Sequence, residues 1–404
     1  MLKVEERWDL IDRIAKKTVK FGKYRHTLKD AVAELTVKPL TGIPVAIAVL
    51  YGFWAFFRAF AGFFTDGFLV KLFDAHWLPW LQEIFPASKD SWLYYIFVGD
   101  PLTDNCFEAF GMLTSGLFVA IGVVLPAITA FYLMLILLED SGYLPRLAVL
   151  IDTVLHKIGL HGYAIVPSIL SLGCNVPACT ACRILETKKQ RFIMMTVLAI
   201  FIPCGAQLGI MLKVIPDTVG WVLLYLLIGY FILGFILNKI VPGKSPEFIL
   251  DIPPYQKPML ANVGRKLWMR TSSFFTTAIP FVLLGVIIVN VLYLTGVIGW
   301  LATGLSPLLS GWFGVPKETV GPLIAAFLRK DLAVAQLSAI KMTKYQMITS
   351  VVLVSIYFPC VATFVMLLKV EGGKGFLGSL AALVVTVFLY GGLLHLIWIL
   401  LGVA

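Results

Sequence analysis

The chain has 404 residues, 59% of them hydrophobic and 14% charged, with a formal net charge of +10. A soluble globular domain carries about 25% charged residues, so the composition excludes that class and predicts a membrane protein built of apolar helices. The positive charge is not a nucleic-acid footprint. It gathers at Lys16, Lys17, Lys20, Lys23 and Arg25, around Lys188, Lys189 and Arg191, and from Lys239 to Arg270, the short-loop pattern that marks a cytoplasmic face and suits anionic lipid headgroups. Membrane lipids are therefore expected partners and nucleic acid is not.

In chain order, residues 1–38 read as a polar cytoplasmic linker or amphipathic segment with no cleavable leader. Residues 39–108 hold a first span, Gly42–Phe64, and a Trp- and Phe-rich segment on the outer surface. Residues 109–245 contain a span at Phe110–Leu138, a cytoplasmic stretch from Glu139 to His161, and two further spans at Phe192–Leu212 and Val219–Ile240. Between them, Gly162 to Thr187 is apolar but interrupted by Gly173 and Pro177, and reads as a re-entrant hairpin. Residues 246–272 form a basic cytoplasmic connector. Residues 273–404 repeat the pattern, with spans at Phe274–Leu294, Met347–Leu368 and Phe376–Leu401 and a second hairpin from Val320 to Met342. The predicted fold is an all-α polytopic membrane protein with about seven spanning helices and two re-entrant hairpins.

The second half matches the first. Pro126 pairs with Pro280, and Ser141-Gly142 with Thr295-Gly296, at an offset of 154; Gly159 pairs with Gly314 and Pro167 with Pro322 at 155. Pro203, Cys204, Ala206 and Lys213 pair with Pro359, Cys360, Ala362 and Lys369 at 156. With the N-terminus inside, the halves cross the membrane in opposite directions and most Lys and Arg fall inside, Lys341 and Lys344 excepted. Inverted repeats with broken helices at corresponding positions predict a secondary-transporter-like fold with its site where the breaks meet near the midplane, because irregular backbone at membrane depth must line a cavity or be buried in protein.

Three sulfurs are expected there. Cys204 and Cys360 follow Pro203 and Pro359, whose rings each free a backbone carbonyl. Cys174 lies in the first hairpin, where Asn175 is expected to N-cap the second half-helix with Pro177 in its first turn. Thiols and neutral carbonyls favour soft or borderline metal ions over Mg²⁺ or Ca²⁺; the competing reading is that each cysteine fills a kink. Cys179 and Cys182 form a Cys-x-x-Cys that extends such a path, acts as a redox pair, or packs helices. The second hairpin carries Arg329, Lys330 and Asp331, either a charged gate or a solvated tip. Glu139 and Asp140 end a span, where they attract a cation or stand as ordinary interfacial carboxylates. His395, in the last span, reads as packing. Gly243-Lys244-Ser245 lacks the earlier glycine of a Walker motif, so no nucleotide hydrolysis is expected of this chain.

Leu138-Glu139-Asp140-Ser141-Gly142-Tyr143, Gly159-Leu160-His161-Gly162, Gly173-Cys174-Asn175-Val176-Pro177-Ala178, Phe327 to Ala335 and Phe358-Pro359-Cys360 resemble the membrane domain of the FeoB ferrous iron transporters. Ile11-Asp12-Arg13-Ile14 resembles the linker from that family's GTPase domain. The resemblance implies Fe²⁺ passage along a path between two gate repeats, carried here by Cys174, Cys204 and Cys360, in a multi-pass protein of a prokaryotic cell membrane. It also implies a separate GTPase and a small FeoA-like protein as partners, and it is compatible with a homo-oligomer. This chain departs from the family at Cys179, Cys182 and Gln207. The alternatives from the residues are transport of another solute, nucleoside-like or a softer metal, and a membrane thiol oxidoreductase using Cys179 and Cys182.

Overall fold

The structure is a computed structural model and describes residues 18, 28–85, 92–99, 106, 111–243, 254–296, 304, 307–328, 330–338 and 340–402. Among the described residues there is no β-strand, and the all-α reading holds. Five helical runs are long and apolar enough to cross a bilayer: Pro39–Ile84, Met112–Asp140, Lys188–Leu212, Pro216–Ile240 and Ala362–Leu400.

Helix α1 spans Leu28–Val37. Helix α2 starts at Pro39, the first helical position that proline favours, and runs to Ile84 through two π-helical turns, Thr65–Leu69 and Phe73–Trp77. Its 46 residues make about 69 Å at 1.5 Å per residue, more than twice a bilayer core of about 30 Å. The expected outer segment therefore begins as a continuation of the first span. After the short α3, Trp92–Phe97, come α4 (Met112–Asp140) and α5 (Tyr143–His156).

The first hairpin consists of α6, Ile165–Gly173, and α7, Asn175–Ala181, with one extended residue between them. Helices α8, Lys188–Phe201, and α9, Gly205–Val214, are one span broken at Pro203, and α10 spans Pro216–Ile240. The second half gives α11, Leu260–Leu294, and a hairpin of α12, Val320–Leu328, and α13, Lys330–Ser338. Helix α14, Lys344–Ile356, precedes the break at Pro359, and α15, Val361–Leu400, joins two expected spans across a sharp turn at Gly372. Ile165 and Val320 are 155 apart, as are Asn175 and Lys330; Lys188 and Lys344 are 156 apart, as are Gly205 and Val361. The repeat seen in scattered prolines and glycines is thus a repeat of whole elements.

Local chemistry repeats as well. Thr187 and Gln190 close a reciprocal capping box at the start of α8, and Thr343 and Gln346 close the same box on α14. In each, the threonine hydroxyl accepts the glutamine N–H and the glutamine side chain accepts the threonine N–H. Gly159 and Gly314 take φ of +78° and +66°. A Cβ on either would lie 2.2 Å from the side chain of Asn238 or His395 respectively, so only glycine fits on both counts. His395 also bonds the Trp312 carbonyl through Nδ1 at 3.0 Å.

The broken helices are the centre. Every residue from Ile193 to Phe201 and from Ile348 to Ile356 is buried, whereas α2 and α15 show most of their length to the outside. A helix apolar all round belongs in the middle of a bundle. The halves interlock around it: α8 packs on α15 and α14 on α10, while α7 packs on α15 and α13 on α9.

Candidate functional site

The backbone opens at three described points. Cys174 is extended, with φ −155° and ψ 131°, and is itself the residue that begins α7. This corrects the expectation for Asn175, which is the first helical residue. Its side chain is engaged elsewhere: the Ser171 hydroxyl donates to Oδ1 at 2.5 Å, and Nδ2 donates to the Ile202 carbonyl at 3.4 Å. Cys204 and Cys360 are likewise non-helical and start α9 and α15, accepting the N–H of Leu208 at 2.9 Å and of Phe364 at 3.0 Å.

The first hairpin meets the first break closely. A Cβ on Gly205 would sit 3.2 Å from the carbonyl oxygens of Leu172 and Gly173, so the absent side chain lets the carbonyl end of α6 approach the amide end of α9. In the second half, Pro359 has no N–H to offer the carbonyl four residues back, that of Ser355. Lys330 fills the gap: its buried Nζ donates to that carbonyl at 2.6 Å. Lys330 stands at the position of Asn175 in the repeat, so in each hairpin the first residue of the second half-helix is tied to its own half's break.

A third contact bridges the repeats. Gln207 Nε2 donates to Ser355 Oγ at 2.8 Å, and Gln207 Oε1 is buried with no hydrogen-bond partner among the described residues. Cys360 Sγ lies 3.1 Å from Thr363 Oγ1. Cys174 is within electrostatic reach of Cys204 and Cys360, and Lys330 faces the same two thiols. These three cysteines are partly exposed, unlike the buried Cys106, Cys179 and Cys182. Among the described residues, no three His, Cys, Asp or Glu side chains are close enough to hold one metal ion together.

The remaining candidates separate. Cys179 and Cys182 are fully buried and face Glu371. Arg329 and the side chain of Asp331 lie outside the described residues. Glu139 and Asp140 are engaged at the end of α4: Asp140 accepts from Lys266 at 2.6 Å, and Glu139 pairs with Arg270 at 3.0 Å and Lys266 at 3.6 Å. The Asp140 hydrogen bond holds the Lys266 ammonium protonated above its usual range. These carboxylates fasten α4 to α11, the first spans of the two halves. Sequence reasoning missed Gln207, Ser355, Thr196, Ser379 and Glu371 as a set, since each partner lies in the other half or across a turn.

The chain matches the family described as nucleoside recognition Gate over residues 121–217 and 275–374, and the family described as ferrous iron transport protein B C terminus over residues 219–270. It is similar to the Fe(2+) transporter FeoB of Methanocaldococcus jannaschii, 26% identical over 415 residues, covering 92% of this chain and 59% of that protein. It is also similar to the FeoB of Staphylococcus aureus, 27% identical over 289 residues, covering 62% of this chain and 43% of that protein. A Fe(2+) transport protein A/Fe(2+) transporter FeoB fusion protein of Porphyromonas gingivalis is 32% identical over 180 residues, 41% of this chain and 21% of its own length. No solved structure matches. The chain thus spans 59% or less of the length of these relatives. The two Gate segments fall on the two repeats whose breaks and hairpins interlock, and the chain belongs to the FeoB family, of which it spans the membrane portion.

Proposed function

We propose that this chain conducts a divalent transition metal, Fe²⁺ first, across a prokaryotic cell membrane along a path between its two repeats. The observation that carries the reading is the junction of Cys174, Cys204 and Cys360, all partly exposed at three backbone openings, with Cys174 within electrostatic reach of the other two. The relatives named as Fe(2+) transporters support the choice of metal. The sulfurs act as successive contacts, so an ion passes from one thiol and its neighbouring carbonyls to the next without being trapped by a full ligand set. Arg329, Lys330 and Asp331 on one side and Asn175 on the other form the gates. A small partner of the transport protein A type is supported by its fusion to a relative.

Full burial of Cys179 and Cys182 favours helix packing over thiol exchange, which needs an accessible thiolate. The test is uptake of Fe²⁺, Mn²⁺, Zn²⁺ and Co²⁺ into proteoliposomes by the purified chain. Cys204→Ser and Cys360→Ser are each expected to reduce Fe²⁺ uptake by at least about tenfold, a rise of about 1.4 kcal/mol in barrier height. Unchanged uptake in the double variant removes the cysteine path. Nucleoside uptake with no metal uptake replaces the substrate class.

A further inference from the structure

Glu371 ends the first part of α15, directly before Gly372, whose φ of +72° and ψ of 175° turn the chain. The corresponding residues of the first half are Ile215 and Pro216, where α9 gives way to α10. Both halves turn beside a carboxylate, but Asp217 of the first half follows its turn and is exposed, whereas Glu371 precedes its turn and is packed inward. The Glu371 side chain is largely buried, and Gly375 makes room for it: a Cβ there would lie 2.8 Å from the Glu371 Cβ.

Its surroundings are polar in one direction only. Ser379 Oγ donates to Glu371 Oε2 at 2.8 Å, and Thr196 Oγ1 lies 2.7 Å from Ser379 Oγ. Ser379 has one proton and gives it to Glu371, so Thr196 donates to Ser379 and the chain of hydroxyls points at an ionised carboxylate. Glu371 Oε1 is sealed from solvent, with no hydrogen-bond partner among the described residues. Among the described residues, the titratable groups facing it are the thiols of Cys179 on α7 and of Cys182 just beyond that helix. An ionised carboxylate so placed is unfavourable. With a proton on Glu371 the chain runs the other way, from the carboxyl to Ser379 and on to Thr196. That chain crosses between halves, because Thr196 belongs to α8 and Ser379 to α15. Beside it, a void of ≈ 10 Å³ is bordered by Thr196 and Ser379 and otherwise by apolar side chains such as Phe364, Leu367 and Phe376.

We propose that Glu371 is a proton-binding site that couples its protonation to the contact between the two repeats. With the proton bound, the carboxyl stays buried and the Thr196–Ser379 link holds α8 against α15. When the proton leaves to water, the carboxylate swings out at the Gly372 turn and the link opens. The proton is taken from and returned to solvent, and no other group changes charge. The coupling to metal movement rests on the transport reading above; the proton site does not.

Infrared difference spectra of the full chain in lipid, between neutral and acidic pH, test the site. One band of a buried protonated carboxyl is expected, removed by Glu371→Gln, and displaced by Glu371→Asp and by Thr196→Val. A wild-type spectrum without that band, or a band that persists in Glu371→Gln, overturns the site. In proteoliposomes, a gradient of about one pH unit is expected to change Fe²⁺ accumulation by up to about tenfold per coupled proton, and Glu371→Gln should accumulate equally with and without it. The band together with gradient-insensitive uptake overturns the coupling. The band together with no Fe²⁺ uptake by the wild type overturns the transport reading and the coupling, and supports the proton site alone.

Discussion

The two hairpins occupy equivalent positions and solve the same problem with different chemistry. In the first, a neutral amide, Asn175, reaches the Ile202 carbonyl at 3.4 Å. In the second, an ammonium, Lys330, holds the Ser355 carbonyl at 2.6 Å. A hydrogen bond from a charged group contributes about 1.5–3 kcal/mol against about 0.5–1.5 for a neutral one. The second hairpin is therefore the more firmly latched, and its latch brings a positive charge to the edge of the proposed path. The first is held weakly and presents a thiol instead. Duplication supplied the geometry twice, and the halves then diverged at the residue that ties each gate to its break.

The sharpest way to break this comparison is to give the second hairpin the residue of the first. Lys330→Asn leaves the Ser355 carbonyl with at best a weak partner, and we expect Fe²⁺ uptake in proteoliposomes to fall by at least about tenfold, in keeping with a loss of about 1.5–3 kcal/mol. Asn175→Ala should lower it by only about threefold; equal effects would mean that the latches are interchangeable. A smaller effect is expected at the hairpin-to-break contact. Gly205→Ala pushes a methyl against two carbonyls at 3.2 Å and should lower stability by about 1 kcal/mol, read as an earlier unfolding midpoint in detergent. The smallest difference belongs where the halves still agree. Thr187→Ala and Thr343→Ala each remove one capping box, and each should cost about 1 kcal/mol. Unequal losses in the same unfolding measurement would show that the two broken helices are not held alike.

Much of this architecture was legible because proline and glycine act locally. Pro203, Pro359, Gly173 and Pro177 mark the breaks wherever their neighbours lie, and their spacing disclosed the repeat. The capping boxes are equally local, each held within the four residues Thr-x-x-Gln at the start of a broken helix. The site itself was only half legible. Cys174, Cys204 and Cys360 stand out by composition, but the role of Lys330 depends on a carbonyl 25 residues away, and Gln207 finds Ser355 148 residues on. No periodicity records such pairs. Asn175 was expected to cap a helix because asparagine does so often; Ser171, one turn earlier, claims its side chain first. Glu139 and Asp140 allowed two readings, a cation site or ordinary interfacial carboxylates, and the choice turns on Lys266 and Arg270 of α11, which the sequence does not place beside them.

The interlocking of the halves also bears on how the chain is made. Helix α8 enters the membrane carrying Thr196, and α9 follows with Gln207, yet their partners Ser379 and Ser355 are synthesised 183 and 148 residues later. Apolar side chains wait in lipid at little disadvantage, but polar ones without partners do not. The first half is therefore an unfinished object for as long as the ribosome is still building the second, and its consolidation belongs to a late assembly step, after α14 and α15 have inserted.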